Sequence, residues 1–157
     1  MKKIMFVVAM TLAAPLLVFA RGTETTPAVN QGDSDFAAGK LAIGAKDWKG
    51  AIEAFSKAEA VMSGNADVQN YLGYAYRQSG AMEQSFSHYN EALRINPNHR
   101  GAHSYIGQAF LRVDKPEQAA EHLASLEKIC GKGCEEYQDL MHAIDAYKKN
   151  ISHESAW

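Results

Sequence analysis

Gly39, Gly73 and Gly107 stand 34 residues apart each time. Each lies inside an apolar pattern of helical spacing, where glycine costs about 1 kcal/mol relative to alanine. Three such penalties at one period require a common cause. The cause read here is close approach of two helices at a point where no side chain can be accommodated. The neighbouring positions keep the same register. Ala38, Leu72 and Ile106 precede the glycines, and Ala42, Tyr76 and Phe110 follow one turn later. Farther along come a small residue (Ala51, Ser85, Ala119), a bulky one (Phe55, Tyr89, Leu123), then Ala58, Ala92 and Leu126. Each unit closes on a helix-stopping residue, Ser63, Pro97 or Gly131.

This pattern resembles the tetratricopeptide repeat, a helix-turn-helix unit of about 34 residues with leucine-glycine, tyrosine, alanine, phenylalanine and proline at fixed offsets. The middle unit matches best, through Leu72, Gly73, Tyr76, Ser85, Tyr89, Ala92 and Pro97, with Ser85 a mild departure. The outer units depart further, as end repeats do. The resemblance implies an all-α, right-handed superhelix of three repeats, about 32–65, 66–99 and 100–133, followed by a capping helix over 134–149. The repeat helices are expected near 34–46, 48–62, 66–79, 82–95, 100–113 and 116–128. Tyr137, Leu140, Met141, Ile144 and Tyr147 form the apolar stripe of the cap. Residues 151–157 are expected as a disordered tail.

The N-terminus indicates a destination. Lys2 and Lys3 precede an apolar run from Ile4 to Phe19 that ends Val18-Phe19-Ala20, the form of a cleavable signal peptide over residues 1–20. Residues 21–33 are polar and rich in Thr, Gly and Pro, and read as a flexible leader. Export to the periplasm, or secretion, is therefore expected, with no stable membrane insertion after cleavage. The chain after residue 20 has a net charge of about −4 and no basic block, which argues against nucleic acid as a partner.

The two cysteines, Cys130 and Cys134, flank Gly-Lys-Gly at the junction of the third unit and the cap. Covalent haem needs a histidine after the second cysteine, where Glu135 stands. Zinc needs more ligands than two cysteines supply, and catalytic dithiols usually have two intervening residues rather than three. The favoured reading is a structural disulfide across the turn that fixes the cap, with thiol-disulfide redox activity as the alternative. The stretch CEEYxxLxxAI also resembles the ending of small exported bacterial repeat proteins.

No phosphate loop or nucleophile elbow occurs. The histidines at 88, 99, 103, 122, 142 and 153 read as solvated surface. Neither metal nor cofactor is expected, and the chain reads as no enzyme. Glu53, Glu59, Glu83, Glu91, Glu117 and Glu121 read as a solvated convex face, and Trp48 as an edge of packing. The resemblance places ligand binding on the inner wall made by the first helix of each repeat. There the matching offsets select Phe36, Lys40 and Ile43, then Asn70, Tyr71, Tyr74, Arg77 and Gln78, then Ser104, Tyr105, Gln108 and Arg112. Of these, Lys40 and the polar and tyrosine positions of the second and third repeats are the candidate peptide-binding residues, with Tyr71 and Tyr105 alternatively packing between repeats. Tyrosines give stiff contact area, amides satisfy a bound backbone and arginines pair with carboxylates. The expected function is that of an exported adaptor holding a protein or peptide segment in the cell envelope, its oligomeric state left open.

Overall fold

The computed structural model describes the backbone of residues 30–154 and the side chains of residues 30–150. The proposed signal peptide and most of the proposed leader lie outside the described residues, as do residues 155–157. Seven helices follow one another: α1 (Gln31–Gly44), α2 (Trp48–Val61), α3 (Ala66–Ser79), α4 (Met82–Ile95), α5 (Arg100–Arg112), α6 (Pro116–Cys130) and α7 (Glu135–Glu154). Most boundaries fall within two residues of expectation, and two differ by more. Helix α1 begins within the proposed leader because Asn30 caps it, accepting from Gly32 N at 3.2 Å. Helix α7 continues to Glu154, through residues expected to be a disordered tail.

Local chemistry sets most ends. Asp47 caps α2 through Gly50 N (2.9 Å), and Asn65 caps α3 through the amides of Asp67 (2.9 Å) and Val68 (3.2 Å). Gly80 closes α3 with φ +88°, a left-handed conformation that glycine adopts without a Cβ clash. Pro116 opens α6, where a first-turn amide hydrogen has no partner to lose.

The periodic glycines are contact points. A methyl group added at Gly39 would lie 2.6 Å from the Phe55 ring, and one at Gly73 would lie 2.5 Å from the Tyr89 ring. At Gly107 the intruder comes from outside the repeat: Leu140 of α7 would be 2.6 Å away. Leu123, at the position of Phe55 and Tyr89, is shorter and leaves the space that the cap fills. Ser85 donates from Oγ to the Gly73 carbonyl (2.8 Å), so the departure from the repeat pattern supplies an added tie between α3 and α4.

The core is a series of layers. Ala51, Phe55, Ala58, Val68, Leu72 and Ala75 join α2 to α3. Tyr89, Ile106 and Ala109 join α4 to α5. Ala119, Leu126, Tyr137, Leu140 and Ile144 join α6 to α7. The opposite end has no such cover among the described residues: Leu41 on α1 is 77% exposed.

Several histidines are structural rather than solvated, which corrects the surface assignment. His99 caps α5, its Nδ1 accepting from Ala102 N at 3.0 Å. His88 bonds Gln69 and stacks on Tyr76. His103 is buried, with Nε2 2.9 Å from the Pro97 carbonyl and Nδ1 2.9 Å from Nδ1 of His122. A carbonyl only accepts, so His103 Nε2 carries the hydrogen and His103 Nδ1 accepts from His122 Nδ1–H. Burial, then the neighbouring His103, lowers the His122 pKa to about 4.

Two stability predictions follow from this packing. Gly73→Ala should lower stability by at least about 1–3 kcal/mol through overpacking, whereas Gly44→Ala, in helix with nothing within 4 Å of the added methyl, should be neutral or stabilising. Gly64 makes a poor comparison because its φ of +83° strains any side chain. Urea unfolding of both variants reads the difference, and equal losses would refute the contact. The His122 contribution should be complete above the unfolded histidine pKa of about 6.5 and decline toward pH 4, because the unfolded chain takes up the proton first. A His122→Gln variant should therefore lose less melting temperature between pH 7 and 4.5 than the parent; parallel curves would refute the assignment.

Candidate functional site

Helices α3, α5 and α7 lie side by side, with α5 touching both neighbours, and their side chains line two adjoining clefts. The cleft toward the helix C-termini, about 410 Å³, is lined by Tyr74, Arg77, Gln78, Tyr105, Gln108, Arg112, Asp139 and Ala143. The cleft at the N-termini, about 680 Å³, includes Asn70, Tyr71, Ser104 and Tyr105. Tyr105 and Asp139 line both, so the two are parts of one groove.

Nine of the ten candidate binding residues therefore line this groove. Lys40 does not; it is exposed on α1 and lines neither cleft. Tyr71 has two roles, since its ring stacks on Phe55 (5.3 Å, 11°) and meets Phe36 edge-on while also lining the larger cleft. Trp48 is indeed an edge of packing, its ring 6.2 Å from that of Tyr74.

Arg77 organises the smaller cleft. It is only 4% exposed. One guanidinium nitrogen donates to Gln108 Oε1 at 3.1 Å, and the carbon lies 5.3 Å from the Tyr74 ring centroid and 5.6 Å from that of Tyr105. Its Nε and the buried Tyr89 hydroxyl each lack a hydrogen-bond partner. Burial pushes the Tyr89 pKa up. Arg112 reaches across from α5 to donate to the Arg77 carbonyl (2.9 Å) and to Gln78 Oε1 (3.1 Å). Partial burial, and secondarily the Arg77 charge, holds the Arg112 pKa below its usual value. Neither arginine has a carboxylate within ion-pair distance among the described residues.

The sequence reading missed the contribution of α7, which was assigned only a capping role. The signal was present: Tyr71, Tyr105 and Asp139 are 34 residues apart, as are Leu72, Ile106 and Leu140. The cap thus continues the repeat register, with Asp139 at the groove position. At its start the Cys130 and Cys134 sulfurs are joined (2.06 Å), and both residues pack against the cap cluster.

The match to a model of the TPR repeat covers residues 73–114. A 75-residue stretch, 48% of this chain, is 25% identical to the human protein O-mannosyl-transferase TMTC3, of which it spans only 8%. Among solved structures, the TPR2B domain of yeast Sti1, in its complex with pHsp70, superposes with a TM-score of 0.70 at 15% identity. It covers 76% of this chain and 98% of that one. The Sgt2 TPR domain from Aspergillus fumigatus gives 0.68 at 19% identity, over 82% of this chain and 84% of that one. The centre of this chain is thus similar in sequence to TPR repeats, and its helices share the fold of TPR domains.

Proposed function

We propose that the chain is a non-enzymatic, exported interaction module that holds a segment of another protein in the groove of α3, α5 and α7. One observation carries the reading: Arg77 is a buried cation, clamped by two tyrosine rings and backed by Arg112, with no carboxylate within ion-pair distance among the described residues. Burying an unpaired charge is costly. A carboxylate of the bound segment, from a side chain or chain end, supplies the counter-charge, while Gln78 and Gln108 offer amides to its backbone. The Sti1 TPR2B domain, which shares this fold, is in a complex with pHsp70, and that supports the reading. Export rests on the N-terminal sequence alone.

The exposed cation is the appropriate one to change, since Arg77 also supports the fold. Arg112→Glu should weaken binding of acidic peptides by tenfold or more, equivalent to about 1.4 kcal/mol, with an unchanged helical spectrum. Binding by the parent should fall as salt rises. Glu83→Gln on α4 should leave affinity unaltered. Fluorescence anisotropy with labelled acidic peptides measures all three, and loss in the α4 variant with retention in Arg112→Glu would move the site off the groove.

The cysteine pair is proposed as a staple between α6 and α7. Closing so short a loop removes on the order of 2 kcal/mol of unfolded-chain entropy. Protein recovered from the envelope should resist alkylation, and reduction should lower its melting temperature by a few degrees while the repeats stay folded. Free thiols in that material, or rapid oxidation of a substrate protein, would favour redox activity instead.

A further inference from the structure

The larger cleft has the opposite chemistry from the smaller one. It lies between the first turns of α3, α5 and α7, and Asp67, Glu135, Glu136 and Asp139 face into it against a single guanidinium, Arg100. Asp67 is engaged by His99 at 3.1 Å and Glu136 by Arg100 at 3.5 Å. Glu135 and Asp139 have no cationic partner among the described residues. Asn70, 4% exposed, lines the same cleft with an Oδ1 that lacks any donor. Tyr71 and Tyr105 add ring surface to its lining.

We infer that this cleft receives a basic side chain, lysine or arginine, of the segment whose carboxylate sits at Arg77 and Arg112. The inference rests on the groove reading and adds a second, oppositely charged subsite to it. An anion would be the obvious rival, because helix N-termini carry partial positive charge, about half a unit each. Here the donors that create that preference are partly consumed. Asn65 takes the amides of Asp67 and Val68, and His99 takes that of Ala102. Four carboxylates then outweigh both the residual dipoles and Arg100. A cation entering the cleft meets two carboxylates without a cationic partner among the described residues and the unpaired Asn70 oxygen, all of which favour positive charge.

The geometry also sets a spacing. Asn70 and Arg77 are seven residues apart on α3, a rise of about 10 Å. Extended chain advances about 3.3 Å per residue, so the ligand's basic and acidic groups should be three to four residues apart.

The test uses blocked synthetic peptides, made in both charge orders, in which a lysine and a glutamate are three or four residues apart. Norleucine replaces lysine in the matched controls. In one of the two orders, lysine should tighten binding by about tenfold, the size of a charge-assisted bond. The double variant Glu135→Gln/Asp139→Asn should abolish that gain, so that each lysine peptide binds no better than its norleucine control. Arg112→Gln should do the reverse, weakening every glutamate peptide yet preserving the lysine gain. A lysine gain absent from both orders, or one that survives the double variant, overturns this subsite. If the norleucine peptides bind and respond to Arg112, the groove reading still stands. If none of the peptides binds, a direct probe remains: Nα-acetyl-lysine methylamide should shift the amide resonances of Gly101 and Ser104, unlike its norleucine analogue. Equal shifts from both compounds, or none, would end the proposal.

Discussion

The structure depends on one contact made three times: a bulky side chain pressed onto a bare helix backbone at Gly39, Gly73 and Gly107. A Cβ at any of these points would enter the partner side chain, so the glycine is the condition for the helix spacing. The cost of glycine in a helix, about 1 kcal/mol, is offset by the burial that the close approach permits. Phe55 and Tyr89 are fully buried, and a side chain of that size contributes about 1.5–3 kcal/mol. Once the spacing within a unit is fixed, the next first helix has one apolar layer to settle on, and the superhelix is set by repetition.

That repetition places α3, α5 and α7 next to one another and so makes the groove. The two arginines of the groove also span units: Arg77 to Gln108, and Arg112 to Gln78 and the Arg77 carbonyl. The site and the stacking are therefore not separable. Truncating Arg77 removes its bond to Gln108 and its packing on two rings, whereas the more exposed Arg112 offers a cleaner change.

What the sequence revealed was whatever repeats. The glycine period located six helices within a few residues, and the offset rule selected nine residues that share one groove. What it hid was specific to one position. His103 and His122 are 19 residues apart and outside the repeat pattern, and only the folded pair shows them bonded. Lys40 met the offset rule on a helix that the clefts do not reach. The burial of Arg77 was equally illegible, because arginine at a groove offset ordinarily reads as exposed. The cap's second role, in the groove, was hidden for a different reason. Met141 stands where the repeat glycine would be, and that one substitution obscured a register continued by Leu140 and Ile144.

The opposite charges at the two ends of the groove have a physical origin that precedes any ligand. All three wall helices direct their N-termini toward the larger cleft, where first-turn carboxylates such as Asp67, Glu135 and Glu136 are favoured by the helix dipole. Arg77 and Arg112 stand in the last turns of α3 and α5, where cations are favoured for the same reason. Each placement is worth only a few tenths to about 1 kcal/mol to its helix. Laid in parallel, however, the helices place their acidic turns together and their basic turns together. A groove formed this way has charge polarity along its length as a consequence of helix stability.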